Sequence, residues 1–245
     1  MKTDLRSFSI AKNINLIKSN KFLFQAYKKK FDLIKNRIKN NKSLEIGSGS
    51  GIASYFLKNI ITSESKKTSN TNLAFNVYRN KLKKKVGIIL MVDVFHHLHR
   101  PCVAIKNLKK SLKKNGKIVM LEPYVSPISF IFYFIIGFTG PKEKLGFFKT
   151  IDLSLKKSGI KEEFAFVMQP QKFIKSNLNK KKIRVDYISE YYFFLTGGLS
   201  FYKIQKWIPN FVYNLSSKFD EFINKSQSIF LKKIFATKIL VELKY

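Results

Sequence analysis

The amino-acid sequence predicts a doubly wound α/β domain with a mostly parallel sheet. Residues 43–46 (SLEI) are interpreted as a short buried strand that leads directly into a glycine-rich turn, 47–51, and the run 86–94 (VGIILMVDV) is apolar without alternation. Such continuous apolar runs are typical of strands that are covered on both faces. Helical patterns, such as the one over 101–114, alternate with these runs, which indicates parallel strands joined by helices.

The first predicted element is an amphipathic helix within residues 18–42, where apolar side chains recur at a helical period among lysines and Asn40-Asn41 ends the pattern. We therefore expect an N-terminal helical extension over 1–42, followed by a single α/β domain over 43–245. After the glycine-rich turn, the pattern predicts a helix over 52–58 and strands over 59–63 and 72–77.

The second half of the predicted sheet begins with a helix over 101–114. Pro101 stands at its first position and Asn115-Gly116 at its stop, which are the residues that helix starts and ends favour. The next central strand is expected over 117–122 (KIVMLE). Later in the chain we expect a helix over 216–235 and strands over 183–194 and 236–244, which complete the same sheet.

The chain is strongly basic, with 47 Lys and Arg against 15 Asp and Glu among 245 residues and a formal charge of +32. Such a charge attracts nucleic acid or an anionic membrane surface. The excess is mostly lysine, is spread along the chain and accompanies many Asn, Ile and Phe residues, a combination that codon bias also produces. We favour that compositional interpretation, because no arginine-rich stripe with interleaved aromatic residues stands out.

Two features bear on location. Cys102 is the only cysteine, which excludes an intramolecular disulfide framework and a cysteine metal cluster and predicts a reducing, cytoplasmic location. The apolar segment 126–138 has about 13 residues, whereas a membrane-spanning helix needs roughly 20. We therefore expect no transmembrane span and interpret the segment as a buried helix, with a lid over a cleft or peripheral contact with an anionic membrane as alternatives.

The strongest motif is the run Leu44–Gly51 (LEIGSGSG), which lies between a predicted strand and a predicted helix. Glycines let a backbone approach a bound nucleoside closely, and the start of a helix offers unpaired N–H groups to an anionic ligand. The dinucleotide fingerprint is G-x-G-x-x-G, whereas this turn reads G-x-G-x-G with Glu45 two positions before its first glycine. The spacing therefore argues against a nicotinamide dinucleotide.

In three motifs the sequence resembles the class I S-adenosylmethionine-dependent methyltransferases, of the Rossmann-like type 11 kind. The motifs are the turn at 45–51, the run 91–98 (MVDVFHHL) and the run 112–123 (LKKNGKIVMLEP). The resemblance implies a methyltransferase with a seven-stranded sheet whose C-terminal strand is antiparallel, and S-adenosyl-L-methionine as the cofactor. It also implies that residues 124–235 contribute the acceptor side.

The resemblance also implies which residues bind the cofactor. The acid at the end of the second strand takes the ribose hydroxyls, and Glu64, 17 positions after Gly47, is the candidate, with a plain surface turn as the alternative. The adenine side falls on Asn76 or Val77, although residues 76–82 depart from the family pattern. The full predicted cofactor set is Glu45, Gly47, Ser48, Gly49, Gly51, Glu64, Asn76 and Asp93.

All three histidines, His96, His97 and His99, follow a central strand, at the edge where open α/β sheets bind ligands. The resemblance places this segment beside the transferred methyl group, so His96 or His97 is the candidate proton acceptor; for His97, simple packing is an equal alternative. No carboxylate or cysteine is spaced nearby to complete a metal site. Glu122 and Tyr124, which follow the next strand, are the candidate acceptor-binding residues.

The sequence thus predicts a small-molecule methyltransferase that is O- or N-directed, with a sugar, a lipid-linked intermediate or another secondary metabolite as candidate acceptors. An RNA methyltransferase that uses the basic charge is a second hypothesis. A protein that kept the fold but lost the cofactor is a third, suggested by the divergent segment 76–82. The acceptor and the methylated atom are not encoded in any motif.

Overall fold

A computed structural model describes residues 8–39, 41–98, 100–124, 126–135, 183–196 and 208–245. His99 and residues 136–138 of the apolar segment lie outside these ranges. The helices are α1 (Ile10–Lys18), α2 (Lys21–Ile38), α3 (Ala53–Phe56), α4 (Pro101–Lys109), α5 (Pro127–Ile135), α6 (Tyr191–Leu195), α7 (Asn210–Lys225) and α8 (Ile229–Phe235). The strands are β1 (Ser43–Ile46), β2 (Ile60–Glu64), β3 (Leu73–Ala74), β4 (Val86–Val92), β5 (Leu112–Pro123), β6 (Ile183–Ile188) and β7 (Lys238–Lys244).

The seven strands form one sheet in the order β3-β2-β1-β4-β5-β7-β6. Strands β1 to β5 pair in parallel, and β7 runs antiparallel to both β5 and β6. The predicted seven-stranded, mostly parallel sheet with an antiparallel C-terminal strand is therefore confirmed. The reversal at β7 brings the beginning of that strand to the carboxyl ends of β4 and β5, where the candidate site lies.

Helix α2 covers one face of the sheet. Its apolar side chains Leu23, Phe31 and Ile34 are almost fully buried and pack in one cluster with Leu90 of β4 and Leu121 of β5. Burying an aliphatic side chain in this way contributes about 1.5–3 kcal/mol. The helix that precedes the first strand is thus part of the core of the sheet.

Helix α4 covers the opposite face, where Ala104, Ile105 and Leu108 pack with Met91 of β4 and Met120 of β5. Alternate residues of these two central strands face α2 and α4, as the two-residue period of a strand requires. This is why the strands read as continuous apolar runs and why the sheet is doubly wound.

The predicted helix over 101–114 is wrong in its last turn, because α4 ends at Lys109 and β5 begins at Leu112. Leu112 pairs with Val86, but the next pair is Ile88 with Lys117, so residues 113–116 form an irregularity inside the strand. Burial of Leu112 at the sheet outweighs its helical propensity. The Asn115-Gly116 pair lies in this irregularity instead of ending the helix.

The late predictions are partly wrong. The strand predicted over 183–194 ends at Ile188, because the Asp220 carboxylate accepts hydrogen bonds from the N–H groups of Tyr191 and Tyr192 and caps a new helix, α6. The helix predicted over 216–235 is divided into α7 and α8, where the Ser228 side chain caps the second. The predictions over 52–58 and 72–77 are too long, since α3 and β3 have four and two residues.

None of the helices in the described part of the chain has the length and apolar character that crossing a bilayer requires. The described portion of the apolar segment consists of Ser126 and the nine residues of α5.

Candidate active site

The glycine-rich turn after β1 has a left-handed backbone at three positions, with φ of 67° at Gly47, 54° at Gly49 and 71° at Gly51. A Cβ atom on Gly47 would lie 2.6 Å from Val94 Cγ2, and one on Gly51 would lie 2.6 Å from the carbonyl oxygen of Asn70. A Cβ atom on Gly49 would meet nothing within 4 Å. The turn is therefore packed against protein at both ends and open at its centre.

The end of β2 holds this turn in place. The Ser48 N–H donates to the Ser63 carbonyl at 2.9 Å, and the Ser63 N–H donates to the Ser48 hydroxyl at 2.9 Å. The Gly49 N–H donates to Glu64 Oε1 at 2.8 Å. Glu64 thus lies at the open centre of the turn, with lone pairs to spare for further donors.

Glu45 on β1 is a buried carboxyl, only 5% exposed. Its Oε2 atom has no hydrogen-bond partner among the described residues. Burial raises the pKa of the Glu45 carboxyl to about 7, and the nearby Glu64 adds to the effect while a hydrogen bond from Ser48 opposes it. A carboxyl group in this state gains from a neighbouring cation that carries N–H donors.

Asp93 follows β4 directly and has a left-handed backbone, with φ of 56°. Its carboxylate forms ion pairs with two buried lysines, with Lys30 of α2 at 3.1 Å and with Lys238 at the start of β7. Burial opposes the charge of Asp93, but Lys238 and Lys30 outweigh it and lower its pKa below the usual range. Asp93 therefore joins α2, β4 and β7 at the carboxyl edge of the sheet.

Glu122 on β5 is fully buried, and its carboxylate is satisfied within the protein. It accepts backbone N–H groups from Val94 at 3.0 Å, Phe95 at 2.8 Å and His96 at 3.4 Å, and Oε2 lies 2.7 Å from His96 Nδ1. Because a carboxylate can only accept, Nδ1 donates and Nε2 is left for other partners. Glu122 fixes the loop after β4 and orients His96 instead of facing a ligand.

The other predicted site residues lie around this centre. His97 is exposed and its ring centroid is 4.0 Å from that of His96. Asn76 caps its own turn, since its side-chain oxygen accepts the Tyr78 N–H at 2.9 Å. Tyr124 is half-buried, and its ring meets that of Tyr187 edge-on at 5.2 Å.

Lys30, Lys238 and Glu190 were not predicted from the sequence. All three are buried, and both lysines are close enough to Glu190 for their charges to oppose the rise of its pKa. A signal for Lys30 was present, because it falls on the same stripe of α2 as the buried residues Leu23, Ala26 and Ile34. A lysine on such a stripe indicates a buried ion pair. No group of three or more His, Cys, Asp or Glu side chains that could hold a metal ion occurs in the described ranges.

Several solved structures resemble this chain at low identity. The plantazolicin methyltransferase BpumL, in complex with SAH, is 13% identical, with 96% of this chain and 88% of that one covered and a TM-score of 0.43. The N-methyltransferase NodS from Bradyrhizobium japonicum WM9 is 13% identical, with 48% of this chain and 69% of that one covered and a TM-score of 0.36. Coclaurine N-methyltransferase is 14% identical, with 38% of this chain covered and a TM-score of 0.31. The match covers 33% of that enzyme, so it spans about a third of its length.

No curated protein matches the sequence. A sequence profile described as a methyltransferase domain matches residues 19–130, a range that includes α2, the glycine-rich turn, the loop after β4 and β5. This match confirms the resemblance to methyltransferases that the three motifs predicted. The similarity to a methyltransferase domain is therefore shown for residues 19–130 of the chain.

Proposed function

We propose that the chain binds S-adenosylmethionine over the glycine-rich turn and transfers its methyl group to a small-molecule acceptor. The observation that carries the proposal is the turn itself. Gly47 and Gly51 are packed against neighbouring backbone and side chains, whereas Gly49 faces open space and its N–H donates to Glu64, whose charge acts in turn on the buried carboxyl of Glu45. This is a cradle for a ligand with hydroxyl and ammonium donors.

Each side of the cradle suits one part of the cofactor. Glu64 would accept the ribose hydroxyls, because its carboxylate borders Gly49 and has free lone pairs. Glu45 would accept the α-ammonium group of the methionine part, which gives its unpartnered oxygen a donor. The turn at Asn76 would border the adenine, and Ser48 and Asp93 hold the two loops that flank the site.

The bound cofactor supplies a methyl group on a sulfonium, which is an electrophile. The protein then has to position the acceptor, exclude water and take up a proton where the acceptor has one to lose. His96 is placed for the last task, because Glu122 holds Nδ1 and directs Nε2 away from the core. In this proposal Glu122 is a positioning residue, His97 is the alternative proton acceptor, and Tyr124 borders the acceptor.

The proposed acceptors are small molecules, and residues 124–235 are proposed to form the side of the domain that binds them. The RNA alternative rests on the overall charge of +32, whereas the charges at the site itself are mixed: Asp93 and Glu190 face Lys30 and Lys238. The proposal keeps the cytoplasmic location that the single cysteine indicates.

Calorimetric titration with S-adenosylmethionine and S-adenosylhomocysteine (SAH) tests the proposal. Gly49→Arg should abolish binding, because it fills the open centre of the turn. Gly49→Ala is the matched control: it carries the same left-handed backbone strain, about 1–2 kcal/mol, with no side chain to block the ligand. We expect the wild type to bind both compounds and Gly49→Ala to bind within about tenfold.

Failure of the folded wild type to bind either compound would exclude the proposed activity and leave the non-catalytic alternative. Binding that Gly49→Arg leaves unchanged would move the cofactor site away from the turn. If the compounds bind as proposed, radiolabelled methyl transfer to total RNA against a small-molecule extract then separates the two acceptor classes.

A further inference from the structure

A cavity of about 420 Å³ lies between helices α2, α6 and α7, within the size range of about 300–1,000 Å³ that small-molecule sites have. Lys30 and Leu33 of α2 line one side, and Tyr192 of α6 and Asn224 of α7 line the other. Glu190, in the residue pair between β6 and α6, also lines it. The cavity therefore opens at the carboxyl edge of the sheet, on the side of β6 and β7.

Glu190 differs from an ordinary buried carboxyl. Its side chain is 6% exposed, and neither of its two oxygens has a hydrogen-bond partner among the described residues. An unsatisfied buried polar group costs roughly 1–3 kcal/mol, more when it is charged. Such a group in a cavity wall indicates a ligand that supplies the missing donors.

The other acids that line the cavity have partners. Asp32 pairs with Lys28 at 3.0 Å, and Glu221 pairs with Lys225 at 2.7 Å. Asp220 accepts the Ser189 hydroxyl at 2.6 Å together with the two N–H groups that begin α6. Among the acids that line this cavity, Glu190 is thus the one whose buried carboxyl oxygens have no hydrogen-bond donor in the described part of the chain.

The buried lysines near Glu190 are already committed to another acid. Both Lys30 and Lys238 place their ammonium groups on the carboxylate of Asp93. Burial raises the pKa of Glu190, and Asp93 and Asp220 add to this, although the two lysines oppose it. The carboxyl of Glu190 would therefore gain from one further positive charge.

The charged side chains of the cavity wall are nearly balanced. Four of the chain's 15 acidic residues, Asp32, Glu190, Asp220 and Glu221, line it together with Lys29, Lys30 and Lys225. A cation with several N–H donors satisfies both oxygens of a carboxyl group, which a hydroxyl or an ether cannot do. The lysines of the wall already have partners, Lys30 in Asp93, Lys225 in Glu221 and Lys29 in Ser217, so the donor that Glu190 lacks has to come from a ligand.

We propose that this cavity binds a primary ammonium group of the acceptor, with Glu190 as its partner, so that the acceptor is an amine-bearing small molecule. The inference rests on the proposed methyltransferase function. Lys30 links the two regions, because it lines the cavity and also pairs with Asp93 at the end of β4. An acceptor held by its ammonium group at Glu190 extends from there toward the loop that carries His96.

The test uses calorimetry on the full chain with three primary amines, phenethylamine, cyclohexylamine and putrescine, each with and without saturating SAH. The neutral 2-phenylethanol is the matched probe for phenethylamine. Glu190→Gln keeps the shape of the side chain and removes its charge, so amine affinity should fall about tenfold or more. Glu221→Gln, which changes an exposed and paired acid of the same wall, should stay within about twofold.

Leu33→Trp is a second variant that fills the cavity from α2 and should abolish amine binding without touching Glu190. The inference is wrong if the folded wild type binds none of the three amines, if it binds 2-phenylethanol as well as phenethylamine, or if Glu190→Gln binds the amines as the wild type does. SAH binding is measured on every sample and reports the proposed function separately. Loss of SAH binding with intact amine binding therefore overturns the methyltransferase proposal and not the ammonium site.

Discussion

The two sides of the candidate site are built in different ways. On the proposed cofactor side, the contacts join residues that are close in sequence, such as Ser48 with Ser63 and Gly49 with Glu64, each 15 positions apart. On the proposed acceptor side, Asp93 pairs with Lys30, 63 positions away, and with Lys238, 145 positions away. The first side lies within one continuous segment, 43–64, which contains β1, the turn, α3 and β2. The second side exists only when α2 and β7 have docked on the sheet.

The largest expected effect comes from breaking the long-range side. Lys238→Met leaves Asp93 with one of its two buried cations. The loss of a partner from a buried ion pair costs about 3–5 kcal/mol, and we expect the lower end, about 3 kcal/mol, because the Asp93 side chain is 36% exposed. Urea denaturation measures the loss in the free energy of unfolding. Lys244→Met, an exposed lysine of the same strand, is the control and should change stability by less than about 0.5 kcal/mol. A loss below 1 kcal/mol in Lys238→Met would show that the acceptor side does not depend on this pair.

On the local side, the expected effect differs between two glycines of one turn. Gly51→Ala combines a left-handed backbone with a Cβ atom 2.6 Å from the Asn70 carbonyl and should cost about 3 kcal/mol. Gly49→Ala has the strain alone and should cost about 1 kcal/mol. Thermal and urea unfolding of the two variants give the difference. Equal losses would mean that the packing at Gly51 is not tight.

The same isosteric change should have opposite effects at two buried carboxyls. Glu122→Gln replaces one acceptor oxygen with an NH2 group that faces N–H donors, and it should reduce stability by about 2–3 kcal/mol. Glu190→Gln removes a charge that has no direct partner and should leave stability unchanged or raise it. Urea unfolding at pH 7 compares them, and a similar loss in both variants would contradict the distinction between an anchored and an unsatisfied carboxyl.

The smallest expected effect is a dependence on pH at Glu45. The pKa of Glu45 is about 7 in the folded protein against an ordinary value of 4.5, so the folded state holds the proton more tightly. The stability that this proton contributes is complete below pH 4.5 and is lost as the pH rises through 7. Relative to wild type, Glu45→Gln should therefore gain about 2 kcal/mol between pH 5 and pH 8. A constant difference across this range would contradict the raised pKa.

The contrast between the two sides also explains what could be predicted from sequence. The G-x-G-x-G turn, the central strands and the loop with His96 are local patterns, and the predicted sheet is confirmed. The end of α4 could not be read locally, because pairing of Leu112 with Val86 decides it. The place of Lys30 on the buried stripe of α2 was a local signal, but its partner Asp93 lies 63 positions away. Glu190 remained undetected because its lack of a partner depends on segments far away in sequence.

A crystal structure of the protein with SAH tests the central claim most directly. The proposal predicts SAH at the carboxyl edge of β1 and β4, with its ribose at Glu64, its methionine ammonium at Glu45 and the backbone of Gly49 in contact. SAH bound at another place, or crystals grown in saturating SAH that show none at the turn, would contradict it.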